Sequence, residues 1–176
     1  MKAIDVIRTA MQVGENATMR LIEDMQDAPL THPTSQGGNH PLWVLGHLTW
    51  VEGEVPRMLF GEPNPVEKWT PLFAPGTQPT ADSSRYPSFD ELLRTYRDVR
   101  ARNLKILDEL GDAGLDRPPK SPPPGLEEAF RTAGNVFLIF AMHQMNHRGQ
   151  VADSRRAAGR KPMFTPGRAG MRGAVN

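Results

Sequence analysis

Residues 39–60 read NHPLWVLGHLTWVEGEVPRMLF, and this stretch decides the fold class. Asn39 or His40 can cap a helix that begins at Pro41, because proline fits the first helical turn. Large apolar side chains follow at helical spacing: Leu42, Trp43, Leu45, Leu48, Trp50, Val51 and Val55. Such a broad apolar surface is buried against other helices. We predict a helix over 41–60 that Pro56 kinks or ends.

Clustered prolines divide the rest of the chain into segments. Of the 17 prolines, seven lie within 56–87 and five within 118–124. Because a proline inside a helix costs about 3 kcal/mol, the two clusters mark long connections. Outside them, apolar residues at steps of three and four predict further helices over 3–27, 89–110 and 126–158. Ser88, three residues before Glu91, starts the third helix with a capping box, and Gly111 ends it.

The predicted architecture is an all-α four-helix bundle with long proline-rich crossover connections. It occupies residues 1–158, and residues 159–176 form a basic tail that contains glycine and proline. The connections at 60–88 and 111–125 are long enough to cross the bundle. A simple up-down-up-down topology is therefore not required.

Length and charge exclude several classes of protein. A chain of 176 residues corresponds to about one domain. Its 21 Lys and Arg balance 20 Asp and Glu, which argues against a nucleic-acid partner. The absence of cysteine excludes disulfides, zinc ribbons and thiol nucleophiles. No apolar run reaches the roughly 20 residues of a membrane span, and the N-terminus lacks a secretory signal, so we expect a cytoplasmic protein without a membrane partner.

Three of the five histidines lie inside predicted helices. His143 and His147 are four residues apart, which places both side chains on one helix face, where two imidazoles can chelate one metal ion. His47 lies on the apolar surface of the second helix, where a polar ring needs a partner. Together the three can form a metal site with an open position, or each can instead bond to backbone or water. His32, in a loop, and His40, at a helix start, are not expected to be ligands.

Other residues near these histidines are weaker candidates. Gln150 can hydrogen-bond a ligand ring, or it can be an exposed glutamine. Glu54, seven residues after His47, can act as a base or a fourth ligand, or can be a solvated carboxylate. Trp43 and Trp50 bracket His47 and can be core residues or the walls of a substrate pocket. The basic residues of the C-terminal quarter can attract an anionic group of a cofactor, although compensation of the helix dipole explains them as well; they are Arg155, Arg156, Arg160, Lys161, Arg168 and Arg172.

Two stretches resemble the DinB-like family of bacterial proteins: NHPLWVLGHLTWVEGE at 39–54 and HQMNHRGQV at 143–151. That family pairs a G-H-L segment on its second helix with an H-x-x-x-H-x-G-Q segment on its last long helix. The resemblance implies a four-helix bundle, commonly a homodimer, in which three histidines hold one divalent metal ion. Carried over to this chain, the ligands are His47, His143 and His147. Some relatives are bacillithiol or mycothiol S-transferases, and one group is a mycothiol-dependent maleylpyruvate isomerase.

These observations lead to two hypotheses of function. In the first, the protein is a divalent-metal-dependent enzyme that activates water or a low-molecular-weight thiol, as a hydrolase or an S-transferase acting on a small-molecule substrate. Zinc, nickel and iron all suit neutral imidazole ligands, and the thiol must come from a cofactor because the chain has no cysteine. In the second, the protein is a non-catalytic dimeric bundle with a structural metal or none, acting in binding or in a stress response.

Overall fold

The computed structural model describes residues 1–31 and 38–163. Its helices are α1 (Ala3–Glu23), α2 (Pro41–Phe60), a single turn α3 (Thr70–Phe73), α4 (Phe89–Gly114) and α5 (Ala133–Ala157). The described residues contain no strand, so the all-α prediction is confirmed. None of these helices is long and apolar enough to cross a bilayer.

Two apolar clusters show how the four long helices run. The first cluster contains residues of all four long helices, among them Ile22, Leu45, Leu92 and Val151. The second cluster contains other residues of the same helices, among them Met11, Val55, Leu107 and Phe137. Helices α1 and α5 therefore run from the second cluster to the first, and α2 and α4 run the opposite way.

The long helices lie in the order α1, α5, α2, α4 around the bundle, since α1 packs mainly on α5 and α2 packs on both α4 and α5. Helices α2 and α4 are parallel neighbours, so the proline-rich connection between them must travel the length of the bundle. The sequence left the topology open, and this connection departs from up-down-up-down order. The same connection carries Trp69 and Phe73 into the first apolar cluster.

The expectation that Pro56 could end α2 is wrong. The helix continues through Pro56 to Phe60. A proline has no N–H for the carbonyl four residues earlier, which here belongs to Glu52. Asn103 of α4 donates its side-chain amide to that carbonyl at 2.8 Å, and this bond replaces the missing one.

Two predicted helix ends are also corrected. Helix α1 stops at Glu23 rather than at 27. The turns that follow are closed by hydrogen bonds between residues three apart instead of four, such as Gln26 N to Glu23 O at 3.1 Å. Helix α5 begins at Ala133 rather than at 126. The N–H groups of its first turn have no partner within the helix, and the connection before α5 supplies acceptors for them. The Ala133 amide, for example, donates to Arg117 O at 2.8 Å. Gly111, at φ +57°, interrupts α4 near the predicted stop.

Between the two apolar clusters lies a buried ionic group, which we call the Arg100 cluster (Arg100, Glu52, Asn103 and Glu15). Arg100 donates to a Glu52 carboxylate oxygen at 2.5 Å and to the Met11 carbonyl at 2.6 Å. Its Nε contacts Glu15 at 3.3 Å. The Asn103 amide donates to the second Glu52 oxygen at 2.7 Å. These contacts tie α4 to α1 and α2 through opposite charges.

The end of α5 is tied to α1 by another ion pair. The buried Arg155 guanidinium donates twice to Asp24, at 2.9 and 2.7 Å. Arg160 bonds Asp27 from just beyond the helix. These two arginines therefore have structural partners. The Lys161 carbonyl also accepts from Arg155, at 3.2 Å, whereas residues 164–176 of the predicted tail, including Arg168 and Arg172, lie outside the described residues.

Candidate metal centre

Three histidine rings from two helices meet beside the bundle core. His47 comes from α2, and His143 and His147 come from α5. The Nε2 atom of His143 lies 3.4 Å from that of His47 and 3.0 Å from that of His147. The three residues form a group that could hold a metal ion. Sequence reasoning singled out these three, and the fold brings them together.

The outer nitrogens of two rings face acceptors, and this fixes where the protons sit. His47 Nδ1 lies 2.7 Å from the Phe73 carbonyl oxygen, so it must carry the proton that it donates. His147 Nδ1 lies 2.7 Å from Gln150 Oε1. That oxygen also accepts from the Asn39 amide at 3.1 Å, which identifies it as the acceptor end of the glutamine. A neutral ring protonated at Nδ1 has a bare lone pair at Nε2, so two lone pairs point at the third histidine.

The arrangement fits a tetrahedral metal ion. Nitrogen ligands about 2.0–2.1 Å from a zinc ion lie roughly 3.3 Å from one another, close to the 3.4 and 3.0 Å that separate His143 Nε2 from the Nε2 atoms of His47 and His147. Burial lowers the pKa of His47 to about 4 and the pKa of His143 to about 3, and burial also lowers the pKa of His147. The rings are therefore neutral near pH 7, the form that binds metal. His143 Nδ1 is buried without a hydrogen-bond partner among the described residues.

Gly46 allows the Phe73 segment to reach His47. A Cβ on Gly46 would overlap the Phe73 ring, which is fully buried. Without that side chain, the ring packs on the α2 backbone and the Phe73 carbonyl can accept from His47. Trp43 holds the other side of His47, because the two rings stack with centroids 4.6 Å apart.

Comparison with known families agrees with this geometry. A family model described as the DinB superfamily matches residues 10–151, a range that includes all three histidines. The chain belongs to the DinB superfamily. No curated protein gives a significant match to the sequence. Membership of the DinB superfamily and the buried three-histidine group are both compatible with a metal-binding enzyme.

In this member of the DinB superfamily, Glu54 lies beside the histidines but outside their group. It lines a pocket together with His47, His143 and Trp50. The Asn64 amide donates to Glu54 Oε1 at 2.7 Å and holds the carboxylate.

The remaining candidates take distinct places. Trp43 is buried and donates its indole N–H to the Leu72 carbonyl at 3.0 Å, so it is a core residue that also supports His47. Trp50 is half-buried on the pocket wall and donates to Thr70 at 3.0 Å. His40 caps α2 by accepting from the Trp43 amide at 3.0 Å, as expected for a helix start. His32 lies outside the described residues.

Sequence reasoning missed the supports contributed by the long connection. The Phe73 contact to His47 uses a backbone carbonyl, which every residue has, so no side-chain pattern could reveal it. Asn64 is one polar residue in a proline-rich loop, and its signal is equally weak. The sequence signal for this contact is Gly53 on α2, since a Cβ there would overlap the Asn64 side chain.

Proposed function

We propose that the protein is a divalent-metal-dependent enzyme that activates a small thiol or a water molecule, as an S-transferase or a hydrolase. The observation that carries the proposal is the convergence of three Nε2 atoms, two of which have their ring protons held on the opposite nitrogen. Neutral nitrogens with converging lone pairs repel one another unless a cation or a proton lies between them. Their spacing suits a cation.

In this proposal His47, His143 and His147 hold zinc, nickel or iron. When bound, the ion supplies Lewis acidity that lowers the pKa of a water or a thiol towards neutrality. The Phe73 carbonyl and Gln150 orient the His47 and His147 rings and raise their basicity. Because the chain has no cysteine, any thiol nucleophile is a low-molecular-weight cofactor.

Glu54 is the group best suited to take the proton of the nucleophile. It lines the same pocket as His47 and His143, and Asn64 holds one of its oxygens. Its side chain is 18% exposed, so a proton it accepts can pass to solvent. We propose that Glu54 is a general base, with Trp50 as a wall that positions the substrate.

We also propose that the protein is a homodimer that associates through the outer face of α1 and α5. Large apolar side chains are exposed there at helical spacing: Val6, Val13, Leu138, Met142 and Met145. Exposed apolar surface of this kind is typical of interaction sites. Light scattering should give twice the chain mass for the wild type and the single-chain mass for Met142→Lys. A single-chain mass for the wild type at micromolar concentration would refute the dimer.

Elemental analysis of tag-free protein tests the metal site. We expect about one equivalent of a divalent metal per chain in the wild type, as one site requires, and near none in His143→Ala. His40→Asn is the matched control, since it removes a buried histidine outside the site and leaves a residue that can cap α2. The control should keep its metal.

The result also separates the enzyme from the alternative. If the wild type holds no metal even after reconstitution with zinc, nickel or iron, the enzyme proposal fails and a non-catalytic bundle remains. If metal binds, turnover of an electrophile with an added thiol, or of an ester with water, should be lost in His143→Ala. Metal binding without any turnover would favour a structural metal.

A further inference from the structure

A pocket of about 340 Å³ lies between α2 and α5, directly beside the histidines. One face of α2 supplies His47, Trp50, Val51 and Glu54, in which His47 and Val51, like Trp50 and Glu54, are four residues apart. Helix α5 supplies the facing wall with Ile139, Phe140 and His143. The pocket is thus continuous with the candidate metal centre.

The two proline-rich connections form the remaining walls of this pocket. The connection before α5 contributes Pro123, Leu126 and Phe130, and the connection after α2 contributes Pro75. Phe130 packs edge-on against Phe140, with ring centroids 6.1 Å apart. This explains why residues 126–132 leave the helical path that their sequence pattern predicts. They form a wall instead of a further turn of α5.

The chemistry of the walls favours an apolar ligand. Apart from the two histidines and Glu54, the lining side chains are aromatic, aliphatic or proline. Burying an apolar group on them gains about 25 cal/mol per Å². A cavity of about 150 Å³ accepts benzene, so this pocket has the volume for a body of about two rings.

Glu54 adds one polar requirement. It is the single carboxylate among the lining residues. Its contacts to Asn64 and to the half-exposed Arg57 both involve Oε1, at 2.7 and 3.7 Å. The other oxygen is able to accept a hydrogen bond from a ligand. A carboxylate on an apolar wall favours a donor or a cation and disfavours an anion.

We propose that this pocket binds the apolar, roughly two-ring body of an uncharged or cationic small molecule, with a donor group at Glu54 and its reacting end at the histidines. The last part rests on the proposed function, whereas binding of the apolar body does not. A polar sugar thiol does not match these walls. The pocket therefore suits the body of the electrophile or the ester better than that of such a thiol.

Fluorescence titration with 1-naphthylamine, a two-ring probe that is uncharged at neutral pH, tests the pocket. The full chain is used both metal-free and reloaded with zinc, and metal content is measured on the same samples. Val51→Trp and Ile139→Trp fill the pocket from opposite walls, and each should weaken probe binding at least about tenfold. Leu104→Trp is the matched control, because Leu104 is half-buried against the same apolar cluster as Ile139 but does not line the pocket.

A second titration tests Glu54 on metal-free protein. 1-Naphthylmethylamine should bind at least about tenfold more tightly than 1-naphthoate, and Glu54→Gln should remove most of that preference. No binding of the probe to the wild type would overturn the proposal, as would unchanged affinity in both tryptophan variants. An unchanged amine preference in Glu54→Gln would overturn the role of Glu54. If the protein binds the probe but takes up no metal on reconstitution, the proposed function is refuted while the pocket proposal stands.

Discussion

The Arg100 cluster and the three histidines are polar groups of the bundle that have opposite character. In the Arg100 cluster, the guanidinium faces two carboxylates and a carbonyl, so its charge is balanced by the protein. At the histidines, acceptors hold the outer nitrogens of two rings, and the inner nitrogens face one another. The charges of the first group are paired within the chain, whereas in the second group the ring nitrogens that could bind a metal ion face one another.

This difference separates a structural role from a functional one. Glu52 and Glu54 are only two residues apart on α2. Glu52 is buried against Arg100, while Glu54 lines the pocket beside His47. Burial of a charge alone therefore does not identify a site. What distinguishes the two carboxylates is that Glu54 lines a pocket that a ligand could enter, whereas Glu52 does not.

The largest expected effect concerns the closed cluster. Arg100→Met leaves Glu52 buried without its counter-ion, and we expect the free energy of unfolding to fall by about 3–5 kcal/mol. Urea denaturation measures the loss, and metal content per folded chain should not change. Arg102→Met is the control, since its pair with Glu62 is exposed and is worth at most about 1 kcal/mol. Equal losses of stability in the two variants would show that the buried Arg100 cluster contributes no more to stability than an exposed ion pair.

A smaller effect is expected where the backbone supports the histidines. Gly46→Ala forces the buried Phe73 ring away from α2, which should cost about 1–3 kcal/mol of stability and weaken metal binding by moving the Phe73 carbonyl. Gly149→Ala meets nothing within 4 Å, and should stabilise the exposed helix by about 0.5–1 kcal/mol. Thermal unfolding and metal titration of both variants measure the contrast. Normal metal affinity in Gly46→Ala would contradict the role of Phe73.

The smallest effect on stability is expected at Gln150. Gln150→Ala removes the acceptor of His147 Nδ1 and should weaken metal binding about 10- to 100-fold with little change in unfolding. Competition with a chromogenic chelator measures the affinity. Asn146→Ala, an exposed substitution on the same helix, should bind metal as the wild type does. Identical affinities in the two variants would remove Gln150 from the site.

The sequence by itself determined the all-α class, the four long helices and the three histidines. Helical periodicity is a local property, and the four-residue spacing of His143 and His147 places them on one face in any helix. Clustered prolines also located the first connection, and its length allowed a crossing of the bundle without requiring one. Helix ends were less accurate, since tertiary partners set them, as the carbonyl of Arg117 does for α5.

Only the tertiary structure decided how these parts meet. Asn103 of α4 bonds the α2 carbonyl that Pro56 leaves without a partner, and the Phe73 carbonyl orients His47 from the end of α3. The Arg100 cluster and the pocket wall at Phe130 likewise join residues far apart in the chain. Backbone groups have no sequence signature, and contacts between distant residues depend on packing that a local pattern does not encode. The sequence therefore named the candidate ligands, and the fold determined what holds them and what lies beside them.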